Sequence, residues 1–334
     1  MADFPLPFLA NFEVQRAQVE PLIRALRVAN VILDVAFYDV QAFQRALARD
    51  GLEVVVEEPT RPIVDLAQAL QKIDLGALAN PEGAIVIVDA KERPHIQCFL
   101  DVNEFLETKD GASRIECLSV SGVGSSALGS AAFAWNSSTA LGKPVAAIVP
   151  GYGLADVVQQ ALGGWFGFEA FSYWVKQPVQ DVLALVMPGA ASIGRGLLAT
   201  APDRAVAPTT GVPVFQRGSG SSDVLHAILS ETAHITTLLG HSKGALVIEN
   251  AILGLPDETL KRLTITTFGC TIGEGAGVGG YEQFIGTIDG LGMLNSGGNR
   301  AEHCVVAWHS TNTKMPLTMH VASLARSSAA VMPL

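Results

Sequence analysis

Charged side chains are scarce in this chain of 334 residues, and basic ones are the scarcer kind. Asp, Glu, Lys and Arg make up 16% of the residues, whereas an average soluble domain has about 25%. Because 49% of the residues are hydrophobic, much of the chain must be buried in folded cores, which excludes a disordered or fibrous protein. The 22 basic and 32 acidic residues give a net charge of −10, which argues against recognition of nucleic-acid phosphates.

Long hydrophobic runs are also missing. No apolar stretch approaches the roughly 20 residues of a membrane-spanning helix. The N-terminus carries Asp3 and two prolines where a signal peptide would have positive charge and an apolar segment. The sequence therefore predicts a cytoplasmic protein without a transmembrane segment.

Cysteine and histidine are few, with 4 and 7 copies. No two cysteines form a CxxC pair, and no two histidines have HxH or HxxxH spacing. We therefore expect reduced thiols and no metal site.

What the sequence does contain is an alternation of short apolar runs with helical patterns. The runs VILDVAF at 31–37, LEVVV at 52–56 and AIVIVD at 84–89 predict strands, and residues 40–49 and 63–73 predict helices. Strands of nearly continuous apolar character belong to sheets covered by helices on both faces. This pattern predicts an α/β fold with a mostly parallel sheet. We expect an N-terminal α/β region of unknown role over residues 1–112.

The second region, residues 113–334, repeats this alternation with more small residues. The predicted strands are IECLSV at 115–120, PVAAIV at 144–149, VLALVM at 182–187, HITTLLG at 234–240 and LTITTFG at 263–269. Two stretches break the pattern, an aromatic one near 160–176 and a Gly, Pro, Ser and Thr rich one at 189–222. We expect both to be lid-like segments, since long irregular stretches in a folded domain are usually functional or disordered.

The motif that carries chemistry is Gly240-His241-Ser242-Lys243-Gly244, a G-x-S-x-G sequence. An apolar strand precedes it and a helix follows it, which is the setting of a nucleophile elbow. The turn is so sharp that side chains at Gly240 and Gly244 would collide with neighbouring backbone. The pattern therefore predicts a strained, exposed serine hydroxyl at the C-terminal edge of the sheet.

The segment LLGHSKGALVIENA resembles the lipase box of the α/β-hydrolase superfamily, and TFG at 267–269 resembles the class 3 lipase branch. The resemblance covers roughly residues 144–325. It implies a serine hydrolase whose triad follows the chain order Ser, acid, His. Lys243 departs from the leucine common at its position in class 3 lipases.

Given that order, the acid must follow Ser242, where the only aspartates are Asp257 and Asp289. Asp257 lies in LPDETLKR, which predicts the capped start of a helix. Asp289 lies beyond the next strand, where the family's acid would fall. We therefore predict Asp289, with Glu274 and Glu282 as alternatives.

The base must be His303, His309 or His320. His303 precedes the predicted strand CVVAW, and so should lie at the wrong end of that strand. In the hydrolases this histidine usually lies on a loop after the last strand. That placement favours His320, with His309 as the alternative base.

The resemblance also implies an oxyanion hole and an acyl-binding wall. One backbone donor is the N–H of Lys243, and the second is the N–H of Tyr152, because PVAAIVPGYG resembles the third strand and its loop. The substrate-binding candidates are Trp165, Phe166, Phe168 and His241. The aromatic residues could instead belong to the core or to a subunit interface.

We thus expect a carboxylic ester hydrolase that acts on a small-molecule or lipid-like ester, needs no cofactor and binds no nucleic acid. Esterase, lipase, thioesterase, polyester depolymerase and amidase activities stay open, as does homo-oligomer formation. A non-catalytic binding or scaffold protein of the same fold is the alternative.

Glycine patterns at 122–127 and 275–280 resemble dinucleotide-binding turns. The first pattern lacks an acidic residue after its next strand, and the second has too many glycines for a helix to begin there. An NAD-dependent oxidoreductase is therefore the least favoured class.

Overall fold

The structure of this protein is a computed structural model. Its described residues are 33–49, 82–91, 95–99, 102–109, 111–122, 124–150 and 220–324, with isolated positions between 14 and 21. The strands predicted at 52–56 and 182–187, the helix predicted at 63–73 and both irregular stretches up to residue 219 lie outside them.

One sheet of eight strands organises the described chain, in the order β2-β1-β4-β3-β5-β6-β7-β8. Its strands are β1 (Ile85–Asp89), β2 (His95–Phe99), β3 (Cys117–Val120), β4 (Val145–Ile148), β5 (Thr237–His241), β6 (Thr264–Phe268), β7 (Gly280–Gly286) and β8 (His303–Val305). Strands β3 to β8 pair in parallel, whereas β1 runs antiparallel to both β2 and β4. The sheet is therefore mostly parallel.

Helices lie in every connection between consecutive parallel strands except the one from β6 to β7, and further helices precede β1 and β3. They are α1 (Val40–Arg49), α2 (Val102–Glu107), α3 (Ala127–Leu141), α4 (Gly220–Glu231), α5 (Lys243–Ile252), α6 (Asp257–Arg262) and α7 (Gly290–Asn295). The first turn of α4 takes in the last three residues of the stretch predicted as irregular.

Two hydrophobic clusters lie on the two faces of the sheet. One contains Ile85, Leu118 and Ile148 with the apolar sides of α4 and α5, and the other contains Val86 and Ala147 with α3. Neighbouring residues of one strand thus enter opposite clusters, which is why these strands are apolar throughout. The predicted α/β class is confirmed.

Two features differ from the sequence-based expectations. Residues 33–37, predicted as a strand, are helical. The boundary predicted at residue 112 falls within the sheet, because β1 precedes it and pairs with β4 beyond it. Among the described residues, no helix has both the length and the apolar character needed to cross a membrane.

Candidate active site

The G-x-S-x-G sequence forms a sharp turn between β5 and α5. Ser242 has φ 53° and ψ −130°, one of two positive φ values at non-glycine residues in the described chain. Its amide donates to the carbonyl of Phe268 at 2.9 Å, and its carbonyl accepts from the amide of Ala245 at 3.0 Å. These two bonds hold the serine in a backbone conformation that costs a non-glycine residue about 1–3 kcal/mol.

Close backbone contacts explain the two glycines of the motif. A Cβ atom at Gly240 would lie 2.8 Å from the Cα and N atoms of Ala245. A Cβ atom at Gly244 would overlap the carbonyl oxygen of Val120 on the neighbouring strand. Any side chain at either position would push the helix away from the sheet.

Three side chains form a continuous hydrogen-bonded chain at this turn. Ser242 Oγ lies 2.8 Å from His309 Nε2, and His309 Nδ1 lies 2.8 Å from Asp289 Oδ2 and 2.9 Å from Oδ1. All three residues are buried, with exposed fractions of 8% for Ser242, 5% for His309 and 1% for Asp289. A carboxylate can only accept, so the Nδ1 proton donates to Asp289 and Nε2 keeps a lone pair for the serine hydroxyl.

The fold places the three residues after three different strands of the sheet. Ser242 follows β5, Asp289 follows β7, and His309 follows β8, and parallel strands put these ends at one edge. Asp289 is also the N-cap of α7, where its Oδ1 accepts from the amide of Gly292 at 2.6 Å. The cap fixes the carboxylate that orients His309.

The histidine next to Ser242 is His309, and not His320 as the sequence favoured. The loop after β8 closes on itself, since Trp308 N donates to Leu317 O and Met319 N donates to Ser310 O, both at 2.8 Å. His320 lies beyond this closure and is exposed. The same loop is bonded to the carbonyls of Phe37 and Val35, and contacts between such distant positions have no local sequence pattern.

The other acid and base candidates lie elsewhere. Glu274 is exposed, and Glu282 pairs with His303 at 2.8 Å on strands β7 and β8. With Glu302 these two form the one group of three or more potential metal ligands within the described residues. Glu302 and His303 are exposed, and neither belongs to the chain of bonds at Ser242.

A pocket opens onto Ser242, and part of its wall comes from the N-terminal region. Leu33, Asp34, Phe37 and Tyr38 line it. The Phe37 ring packs edge-on against His309 with ring centroids 5.6 Å apart. The sequence pattern did not indicate these residues, because the apolar run at 31–37 predicts a strand. The one signal present was the pair of acidic residues in LDVAFYD, which is unusual in a buried apolar run.

Further wall residues come from three other parts of the chain. They are Gly122, Gly124 and Ser125 after β3, Lys243 on α5, and Leu291 and Asn295 on α7. The glycine pattern at 122–127 thus borders Ser242, and the pattern at 275–280 leads straight into β7 with no helix after it. Asn295 is 4% exposed, and its Oδ1 has no hydrogen-bond partner among the described residues.

His241, predicted to bind substrate, is 1% exposed and lines the same pocket. Its Nδ1 lies 2.7 Å from Tyr38 Oη, and its ring centroid is 5.1 Å from that of His309. Burial, and secondarily the neighbouring His309, hold the pKa of His241 well below its usual range. His241 is therefore a neutral imidazole at neutral pH.

Of the two predicted oxyanion donors, Lys243 belongs to the described residues and Tyr152 does not. Lys243 is the first residue of α5 and lines the pocket beside Ser242, as the motif requires. Tyr152 lies outside the described residues, as do Trp165, Phe166 and Phe168. The strand before the predicted Tyr152 loop is β4, and among the described residues Gly122, Gly124 and Ser125 after β3 line the pocket at Ser242.

Comparison of the chain with protein-family models, curated proteins and solved structures finds no match in any of the three.

Proposed function

We propose that this protein is a serine hydrolase of the α/β-hydrolase type that cleaves carboxylic esters through a covalent acyl-enzyme. The observation that carries the proposal is the chain of bonds from Ser242 Oγ through His309 to Asp289. The positive φ of Ser242 and the parallel order of β5, β7 and β8 support the superfamily.

A serine hydroxyl is a weak nucleophile at neutral pH, so its proton must be removed as it attacks. His309 Nε2 is within hydrogen-bond distance to take that proton, while Asp289 stabilises the imidazolium that results. The Ser242 Oγ–carbon bond forms, and the carbonyl electron pair moves onto oxygen. When the tetrahedral intermediate collapses, His309 returns the proton to the leaving alcohol.

The acyl-enzyme then reacts with water by the same route. His309 takes a proton from the water that attacks the acyl carbon, and it returns that proton to Ser242 Oγ as the acid leaves. We expect backbone N–H groups at the N-terminus of α5, among them that of Lys243, to donate to the oxygen that becomes negative.

The pocket wall supports an apolar acyl group as substrate. Leu33, Phe37 and Leu291 provide apolar surface beside the serine. Burial of each methylene of an acyl chain contributes about 0.8 kcal/mol, so affinity should rise with chain length up to the capacity of the pocket.

The experiment is labelling of the purified full chain with a fluorophosphonate, followed by location of the adduct by mass spectrometry. We expect stoichiometric labelling of Ser242 that is abolished in Ser242→Ala. Hydrolysis of p-nitrophenyl esters of increasing chain length then measures the acyl preference.

A folded wild-type protein that neither reacts with the probe nor hydrolyses any ester, with or without mild detergent, would contradict the proposal. That result would favour a non-catalytic binding protein that keeps the serine.

A further inference from the structure

The hydroxyl of Tyr38 borders the same small space as the nucleophile. A Cβ atom built on Gly122 would lie 3.2 Å from Tyr38 Oη, 3.4 Å from Ser242 Cβ and 3.8 Å from Ser242 Oγ. Tyr38 is 2% exposed and lines the pocket. Tyr38 Oη and Ser242 Oγ therefore lie close to the same point beside Gly122, and both residues line the pocket.

Two nitrogen atoms contact Tyr38 Oη. The amide of Gly122 donates to it at 2.7 Å, and His241 Nδ1 lies 2.7 Å away. The first bond has only one possible direction, because a backbone N–H is always a donor. The direction of the second depends on which nitrogen of His241 carries the proton.

The surroundings of His241 decide between its two tautomers. Its Nε2 is buried and has no hydrogen-bond partner among the described residues. A proton on Nε2 would be an unsatisfied buried donor, which folded proteins tolerate less well than an unsatisfied acceptor. With the proton on Nδ1, His241 donates to Tyr38 Oη, and the donor left without a protein partner is the Tyr38 hydroxyl, which belongs to the pocket lining, where a substrate oxygen can accept from it.

Tyr38 Oη then receives two N–H donors, and its own proton points elsewhere. No other partner of Tyr38 Oη occurs in the described part of the chain, and Tyr38 is one of the residues that line the pocket. Donors on the oxygen polarise the O–H bond and strengthen it as a donor. Burial raises the pKa of Tyr38 above its usual value, so the phenol keeps this proton at neutral pH.

We propose that the Tyr38 hydroxyl is a side-chain donor of the oxyanion hole, and that His241 is the positioning residue that orients it. This inference rests on the proposed function. As Ser242 Oγ adds to the ester carbon, Tyr38 donates a hydrogen bond to the new oxyanion without transferring its proton. The bond is released when the carbonyl re-forms.

The test compares an ester with its thionoester, in which sulfur replaces the carbonyl oxygen. Addition to the thionoester places the negative charge on sulfur, which accepts hydrogen bonds weakly. An oxyanion donor therefore accelerates hydrolysis of the ester far more than hydrolysis of the thionoester. For Tyr38→Phe we expect kcat/KM for a p-nitrophenyl ester to fall about 100-fold, mostly in kcat. The ester-to-thionoester ratio should fall at least about 10-fold.

Tyr281→Phe is the matched control. The Tyr281 hydroxyl also accepts from a glycine amide, that of Gly275 at 2.8 Å, but it does not line the pocket. Its removal should leave both rates and their ratio unchanged.

A second pair of variants tests the positioning role of His241. His241→Leu removes the donor to Tyr38 and should lower the ester-to-thionoester ratio several-fold. His241→Asn keeps an N–H near the same place and should restore part of it. This pair also provides a readout if Tyr38→Phe fails to fold.

If Tyr38→Phe lowered kcat/KM equally for the ester and the thionoester, Tyr38 would have a merely structural role and the inference would be overturned. An unchanged kcat/KM for both substrates would also overturn it. In either case an active wild type that loses labelling in Ser242→Ala would leave the proposed function standing. A wild type that neither labels nor hydrolyses would overturn both.

Discussion

At the scale of single residues, the site depends on which histidine meets the serine. His309 Nε2 lies 2.8 Å from Ser242 Oγ, and the Phe37 ring packs against the same imidazole with 5.6 Å between centroids. His320 is exposed, directly before the helical turn 321–324. These two histidines are therefore a matched pair for mutation.

We expect His309→Ala to lower kcat for ester hydrolysis by about 10⁴-fold or more, because the serine loses the base that takes its proton. His320→Ala should retain kcat within a factor of about 2, since surface substitutions rarely disturb a distant site. Steady-state hydrolysis of a p-nitrophenyl ester measures both, with thermal unfolding as the test of intact structure. A large loss in His320→Ala together with a small one in His309→Ala would reverse the assignment.

At the scale of elements, Asp34 joins the helical residues 33–37 to the N-terminus of α3. Its Oδ2 accepts from the amide of Ser126 at 2.9 Å and from Ser126 Oγ at 2.7 Å, and its Oδ1 accepts from Ser125 Oγ at 2.8 Å. A negative charge is favourable at a helix N-terminus, but burial opposes it. The burial effect is larger, and the pKa of Asp34 rises from its ordinary 3.8 to about 7.

This pKa shift predicts a specific pH dependence of stability. Between about pH 4 and about pH 7 the folded state holds a proton on Asp34 that the unfolded state has lost, so stability decreases as pH rises. We expect the unfolding free energy of the wild type, measured relative to Asp34→Asn, to fall by about 1.4 kcal/mol per pH unit in this range. Above about pH 7 the difference should become constant.

Urea unfolding of both proteins at several pH values measures this difference. The amide introduced by Asp34→Asn keeps one oxygen acceptor and does not titrate, so subtraction of the variant's curve removes the contributions of all other groups. A difference that is flat with pH, or that grows in favour of the wild type as pH rises, would show that Asp34 stays ionised in the folded protein.

At the scale of the whole molecule, the N-terminal segment is bonded to the loop that carries His309. Asp39 Oδ1 accepts from the amide of Thr313 at 3.0 Å, and Oδ2 accepts from Thr313 Oγ1 and from Asn136 Nδ2, each at 2.7 Å. Thr311 and Asn312 of the same loop bind the carbonyls of Phe37 and Val35. The early and late parts of the chain thus stabilise one another next to His309.

We expect Asp39→Ala to lower the unfolding free energy by about 3 kcal/mol, since buried donors lose their acceptor. In a double-mutant cycle with Thr313→Val the two changes should couple by about 1 kcal/mol, because they remove the same hydrogen bond. Chemical denaturation of the four proteins gives the coupling energy.

The control for the cycle is Ser113→Ala, whose hydroxyl binds the carbonyl of Lys109 on another part of the surface. Asp39→Ala and Ser113→Ala should be additive. Additivity of Asp39→Ala with Thr313→Val as well would contradict a direct contribution of this contact.

Local patterns predicted the sharp turn at Ser242 and the class of fold. Short continuous apolar strands indicate a sheet covered on both faces, and two glycines around Ser242 indicate a turn that only glycine permits. Both features act over a few residues, so they are visible in the sequence. Asp289 was also predicted, because only two aspartates follow the serine and the other begins a helix.

The choice of base and the composition of the pocket wall depend on contacts between distant positions. Thr311 and Asn312 of the loop after β8 bind the carbonyls of Phe37 and Val35, and this loop has His309 rather than His320 at the sheet edge. Residues 33–37 are helical although the run VILDVAF favours a strand, because Asp34 and the carbonyls of this segment bind α3 and the late loop. The sequence alone determined a serine turn in an α/β sheet, since backbone sterics and apolar periodicity are local. Only the tertiary structure decided which side chains meet that serine, because the bond from His309 to Ser242 spans 67 positions and that from Tyr38 to His241 spans 203, and contacts over such separations have no local pattern.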